Sequence, residues 1–185
     1  MADGTLKVGT ITTSSGSGTI TLGQSGETVV FGSGVTTKYN QPAFAAYLSS
    51  NQSLSDNTDV KLQIDTEVFD TDNCYDNSTN YRFTPTVSGK YCFYLNVATA
   101  AGDDNNASTT CSIFKNGSKV AQLQQHTHIS AEAAVISAGN SIILEANGST
   151  DYFEFYGLCN FLSGSANALG DSFARTYVGG YRIGA

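Results

Sequence analysis

The chain has two histidines, His126 and His128. On a strand this spacing sends both imidazoles to one face. Around a threefold axis, two rings from each of three chains would make a donor set suited to a transition metal. The competing reading is a pair of solvent-facing side chains beside Gln124 and Gln125. A second cluster is acidic, with Asp65, Glu67, Asp70, Asp72 and Asp76 close together. Carboxylates of this kind are the hard oxygen ligands that calcium takes. Their order lacks the spacing of a calcium loop, however, and fits a solvated acidic turn. No cofactor is expected, and calcium or a transition metal on a threefold axis is the exception to look for.

Catalysis finds little foothold. The two histidines are near neighbours, and no serine or acid with distinctive flanks completes a nucleophilic set. Gly16-Ser17-Gly18 is followed by neither Gly-Lys-Ser/Thr nor a helical pattern, so it is not a phosphate loop. Paired carboxylates can cleave polysaccharide, but the chain is too short for the long β-helix body of such tail-spike enzymes. An enzyme is not expected. Asn-x-Ser/Thr triplets at Asn77, Asn106, Asn116 and Asn147 are what chance gives in a chain this rich in Asn, Ser and Thr. Cys74, Cys92, Cys111 and Cys159 form no CxxC pair and read as reduced, structural thiols.

The elements that would position these groups read as strands: 43–49, 60–69, 81–87, 90–98, 109–115, 120–129, 141–146, 152–161 and 175–183, separated by short polar turns. The clearest is 90–98, where Tyr91, Phe93, Leu95 and Val97 alternate with Cys92, Tyr94 and Asn96. Both faces of that strand are usable. So many strands exceed one flat sheet and predict a two-sheet sandwich. The run 130–138 admits a short helix capped by Ser130, but Gly139 and the strand pattern after it favour extended chain.

With 185 residues, the chain accommodates one domain and a modest appendage. Charged residues are 14% of it, so Ser, Thr, Asn, Gln and Gly must finish the surface. A net charge of −7 with scattered Lys and Arg excludes a nucleic-acid partner. There is neither a recognisable export signal nor a run long enough to span a membrane, so membrane insertion is not expected. The appendage carries a repeat, Thr10-Ile11-Thr12, Thr19-Ile20-Thr21 and Thr28-Val29-Val30, at a nine-residue interval. Such units bury too little to stand alone and call for several chains or a docking partner. A flexible linker is the alternative, and the regular interval favours order. The division expected is a β-repeat stem over 1–40 and a head over 41–185.

The segment FDTDNCYDNSTNYRFTPTVSGKYCFYLNV, residues 69–97, resembles the signature of the complement subcomponent q and tumour necrosis factor superfamily of trimeric jelly rolls. Tyr75-Asp76 is similar to the family's loop-opening pair, and Gly89, Tyr91 and Phe93 to its Gly-x-Tyr-x-Phe strand. Phe83-Thr84-Pro85 resembles Phe-Thr-x-Pro with the intervening residue missing. Lys115-Asn116-Gly117 resembles a family hairpin, Pro42-Ala43-Phe44 the first strand, and Thr176-Tyr177 to Gly180-Tyr181 the last. The wording DTEVFDTDN and FTPTVSGKY resembles the versions on marine bacteriophage structural proteins more than the animal ones, and the opening LKVGTITTSSGSGTITLG is similar to openings common on such proteins. Neither a collagen repeat nor a secretion signal accompanies them.

The resemblance implies an all-β jelly-roll head, assembled as a homotrimer and carried on a phage virion as a fibre or knob for host attachment. The alternative is a capsid decoration or tail-assembly protein that stabilises the particle without binding a receptor. Such a protein would be made in the bacterial cytoplasm and displayed on the virion surface. Its N-terminal segment would dock on another virion protein, and its head would contact a host cell-surface glycan or protein. The interface residues expected are Phe44, Tyr47, Tyr94 and Tyr181, since aromatics on a second sheet face need a cover. The ligand loop expected is Asp103, Asp104, Asn105 and Asn106, a polar tip on a rigid scaffold.

Overall fold

The computed structural model describes residues 10–11, 20–21, 25–26, 28–30, 33, 41–102, 105–128 and 134–184. The chain separates into two compact units, Met1–Tyr39 and Asn40–Ala185. In the first unit, Thr12 and Thr19 of the repeated triplets lie outside the described residues. Thr10, Ile11, Ile20, Thr21 and Thr28 to Val30, which are described, are not in strands.

In the second unit, strands alone supply the regular structure among the described residues. They are β1 (Ala43–Tyr47), β2 (Gln52–Leu54), β3 (Val60–Lys61), β4 (Thr66–Asp70), β5 (Tyr75–Asp76), β6 (Arg82–Phe83), β7 (Gly89–Ala101), β8 (Asn106–Lys115), β9 (Ser118–Thr127), β10 (Val135–Ala146), β11 (Phe153–Phe161), β12 (Ala166–Ala168) and β13 (Tyr177–Gly184). Two antiparallel sheets result. In the first, β7 is flanked by β10 on one edge and by β13 and β12 on the other, with β1 and β4 beyond β13 and β2 beyond β12. In the second, β11 lies between β8 and the short β6 and β3, with β9 and β5 outermost. The sheets face each other as a jelly roll, as expected.

Alternation makes the core. Along β7, Tyr91, Phe93, Leu95 and Val97 are buried, because every second side chain of the strand points at the opposite sheet. The rings collect toward the end where β7 begins. Phe44 stacks on Tyr75 at 4.7 Å and on Phe83 at 4.5 Å, and Phe93 lies 4.5 Å from Phe153. Full burial of each such ring is worth roughly 1.5–3 kcal/mol relative to leaving it in water. Toward the other end the core turns polar. Asn106 donates from Nδ2 to the Thr99 carbonyl at 3.1 Å and to Thr99 Oγ1 at 2.8 Å, Thr99 and Thr109 share a hydroxyl hydrogen bond, and Cys159 Sγ donates to Asn106 Oδ1 at 3.4 Å. The partners satisfy one another, which is the condition for burying them at all.

Several elements depart from the expected strands for local reasons. The run 60–69 is two strands in different sheets. β3 pairs with β11 and β4 with β1, while Leu62 and Ile64 between them are buried and Asp65 holds Ser49 N at 2.9 Å. The run 81–87 shrinks to β6, since Tyr81 has a left-handed φ of 49° and Pro85 has no N–H to give a ladder. Val135 to Ala138 is extended, as favoured, and belongs to β10; residues 129–133 lie outside the described set. Phe44 is a correction. It is wholly buried among Tyr75, Phe83 and Phe155 and is not available to another chain.

Removing the stacked ring should be the more damaging of two core changes. Phe44→Ala is expected to cost about 3–5 kcal/mol, and Asn106→Ala, which strands the Thr99 and Cys159 partners, about 1–3 kcal/mol. Urea unfolding of the two variants checks both the values and their order.

Candidate functional site

The outward face of the first sheet is the candidate site. The pairing of β10, β7, β13, β1 and β4 sets three rows across it. Ile143, Cys92, Tyr181 and Ala43 form one; Ser141, Tyr94, Gly179, Ala45 and Phe69 the next; Gly139, Asn96, Tyr177, Tyr47 and Thr66 the third. None of these residues carries a charge. Tyr181 is 47% exposed, Phe69 47%, and Val68, at the irregularity in the β1–β4 register, 66%.

Two adjacent glycines fit this face to the core behind it. A Cβ on Gly179 would run into the ring and hydroxyl of Tyr94, while one on Gly180 would lie 2.6 Å from Phe93 Cδ1 on the core side. The pair lets an aromatic ring lie flat on each face of β13. Tyr94 can therefore lean toward Tyr177, with ring centroids 6.2 Å apart. Burial, with Tyr177, Tyr181 and Cys92 nearby, raises the Tyr94 phenol, and a hydrogen bond with Cys92 is the main cause that raises Tyr181. Both phenols stay neutral at neutral pH. Ala45, Tyr47, Val68, Tyr94 and Tyr177, with Ala174 at its rim, line an apolar hollow of about 270 Å³.

Of the residues expected at an interface, Tyr47, Tyr94 and Tyr181 share this face; Phe44 does not. Sequence reasoning missed Tyr177, Val68, Phe69 and Ile143. The period of two starting from Tyr181 would have found Tyr177, but the bulge beside Ala45 and Ala46 breaks that count on β4.

The other candidates lie elsewhere. His126 is exposed on β9, the edge strand of the second sheet, where Nδ1 is 3.2 Å from the Ser137 carbonyl of β10. His128, just beyond β9, donates its backbone N–H to Ala107 O at 2.8 Å. Three of the acidic residues hold the local chain. Asp76 takes N–H groups of Ser78, Thr79 and Asn80 at 2.8–3.1 Å; Asp70 takes those of Asp72 and Tyr75; Asp65 takes Ser49. Among the described residues, no group of three or more His, Cys, Asp or Glu is arranged to hold a metal ion.

In the expected ligand loop, Asp103 and Asp104 lie outside the described residues. Asn105 braces the loop through Nδ2 to Ser163 Oγ at 2.9 Å. Asn106 is a second correction. It is wholly buried, and its amide is spent on Thr99, so it cannot meet a ligand.

The sequence matches no family model, and no curated protein matches it. Solved structures do. Murine APRIL is similar with a TM-score of 0.51 and 14% identity over 77% of this chain and 99% of that one. Eiger TNF from S. frugiperda is similar with a TM-score of 0.50 and 10% identity over 77% of this chain and 91% of that one. At such identities the likeness establishes the fold: the head is a tumour necrosis factor-like jelly roll.

Two outcomes test this chemistry. Cys74, Cys111 and Cys159 are buried, burial raises each thiol, and Cys111 is pushed up to about 11, whereas Cys92 is half-exposed. A thiol reagent should therefore modify Cys92 first in the native protein, with the other three reacting on unfolding; mass spectrometry of quenched samples reads the order. Lowered carboxyls give the pH test. The Thr79 N–H and its neighbours lower Asp76, the Lys115 ammonium lowers Asp151, and at Asp65 burial is outweighed by hydrogen bonds from Ser49 and Thr66. A depressed folded-state value adds stability above the unfolded carboxyl range of about 3.9 and loses it as pH falls through the folded value. The unfolding midpoint should hold at neutral pH and drop below about pH 4, with a shallower acid limb in Asp76→Ala.

Proposed function

We propose that this chain is a virion structural protein of a bacteriophage, a homotrimeric fibre or knob whose jelly-roll head meets the host surface while the N-terminal segment docks on another virion protein. The observation that carries the assembly is the uncharged tyrosine face. Exposed aromatics in contiguous rows are what an interface covers. The threefold number is supported by the sequence resemblance at residues 69–97, and the phage setting by the wording at 65–73 and 83–91 and by the opening at 6–23.

Recognition belongs to loops at the end of the head opposite Ala43 and Gly184. Ala43 and Gly184 lie at the end where β7 begins, and the β7–β8 and β11–β12 loops lie at the other. Three equivalent weak sites on one axis gain avidity without any new contact. The role is binding and display, with no reaction to catalyse.

Light scattering of the full chain, and of a chain beginning at Gln41, is expected to give three times the mass of each, the full chain being 19.4 kDa. A monomeric full chain would remove the assembly. Labelled trimer is expected to bind cells of the native host, and failure across the host range would leave particle decoration in place of attachment.

A further inference from the structure

Among the described residues, β10 pairs with β7 and with no further strand, and β9 is likewise outermost in the second sheet, paired with β8 alone. An edge of this kind presents unpaired N–H and C=O groups that a strand of another chain can take up. On β10 the groups of every second residue point away from β7, and side chains meet several of them. Gln124 Oε1 accepts the Gly139 N–H at 2.7 Å, and His126 Nδ1 lies 3.2 Å from the Ser137 carbonyl. A carbonyl only accepts, so the proton of that contact sits on Nδ1. Further along, Asn140 Oδ1 accepts the Ser141 N–H at 2.9 Å and Lys115 Nζ donates to the Glu145 carbonyl at 2.8 Å. The contacts of 124 with 139 and 126 with 137 step by two residues in opposite directions, which is the spacing of an antiparallel ladder. A bulge brings the two β9 side chains there. Ala121 opposes the buried Ile113, and unbroken alternation would carry Leu123, Gln125 and Thr127 to the same face; the register shift beside Cys111 and Ser112 instead sets Gln124 opposite Cys111 and His126 opposite Thr109, both wholly buried.

We infer that Gln124 and His126 are an edge guard: by occupying the Gly139 N–H and the Ser137 carbonyl, they keep the free side of β10 from pairing with a strand of another copy of this chain. The composition of β10 is what calls for one. Edges are blunted by charge, by proline or by cover, and from Val135 to Leu144 the strand has no charged residue and no proline. Its Val135 and Ile143 are exposed, and an uncharged run rich in β-branched and aliphatic residues is the kind that stacks with its own copies. Cover is the remaining device, and β9 supplies it with side chains because its own backbone is turned to β8. These contacts lie within one chain and hold whatever covers the tyrosine face.

Amide hydrogen exchange of the full chain tests the contact, and thioflavin fluorescence over time tests the role. Gln124→Ala is expected to speed exchange at Gly139 by about three- to tenfold, while Ala138, on the β7 side of the strand, keeps the parent rate. Gln124→Glu retains an acceptor oxygen and is expected to exchange like the parent. A parent-like Gly139 in Gln124→Ala overturns the contact, and so does Gln124→Glu exchanging as fast as Gln124→Ala. The double variant Gln124→Ala with His126→Ala, its fold checked by circular dichroism, is expected to form thioflavin-binding aggregate under conditions where the parent and Gln125→Ala keep their starting mass in light scattering. Adding Ile143→Lys, which puts a charge on the bare edge strand itself, is expected to suppress that aggregation. A folded double variant that resists aggregation as the parent does overturns the guard, as does aggregation that Gln125→Ala matches or that Ile143→Lys leaves undiminished. Where the double variant does not fold, Gln124→Ala alone is held to the same comparison.

Discussion

The structure depends on one constraint in β7: a strand sends alternate side chains to opposite faces, here one wholly buried and the other, with Cys92, Tyr94 and Asn96, half-exposed. Tyr91, Phe93, Leu95 and Val97 are committed to the core, and Cys92, Tyr94 and Asn96 to the outer rows. The second sheet exists to cover the first set. Its shape follows from that duty, with Phe153, Phe155 and Cys159 of β11 buried against the same core. On the outer face, β13 must lie flat enough for Tyr94 to rest on it, and the Gly179-Gly180 pair meets that need without opening the core at Phe93.

The sandwich divides internally by chemistry. Stacked rings fill the end near Ala43 and Gly184, where nondirectional burial tolerates small shifts. Hydroxyls and amides fill the other, where Thr99, Asn106 and Thr109 bond at defined angles and so fix the register of β7 against β8. At the polar end, β7 and β8 are tied to the 162–165 segment at the residues that flank their connection. Gly102 N reaches Ser165 O at 3.0 Å, and Leu162 N reaches Asn105 O at 3.1 Å.

Much of this was legible in the residues. Long strands announce themselves by alternation, so β7 and its inward set could be read directly. Asn116-Gly117 is a two-residue hairpin signal, and the turn between β8 and β9 forms there with φ of 53° and 78°. Short strands were not legible. β2, β5 and β12 have two or three residues each, too few for a period to show, and they exist through their partners. The switch of sheets between β3 and β4 was hidden because the alternation of Val60, Leu62 and Ile64 with polar residues says nothing about which sheet a strand joins. Phe44 was misassigned for a related reason. Alternation says that neighbouring residues oppose each other, but not which of the two faces inward. Asn106 looked like a loop tip because its composition is polar, and only the Thr99 and Cys159 partners across the core show why an amide can be buried there.

The absence of charge from the three outer rows has a consequence for the medium in which the protein works. Dissolved ions weaken contacts made by charges and leave contacts between phenols and aliphatic groups nearly untouched. The chain as a whole carries −7, so copies repel one another at a distance, and that repulsion is the part that ions screen. In the proposed assembly, dissolved salt would therefore lower the barrier to approach while leaving the uncharged contact in place.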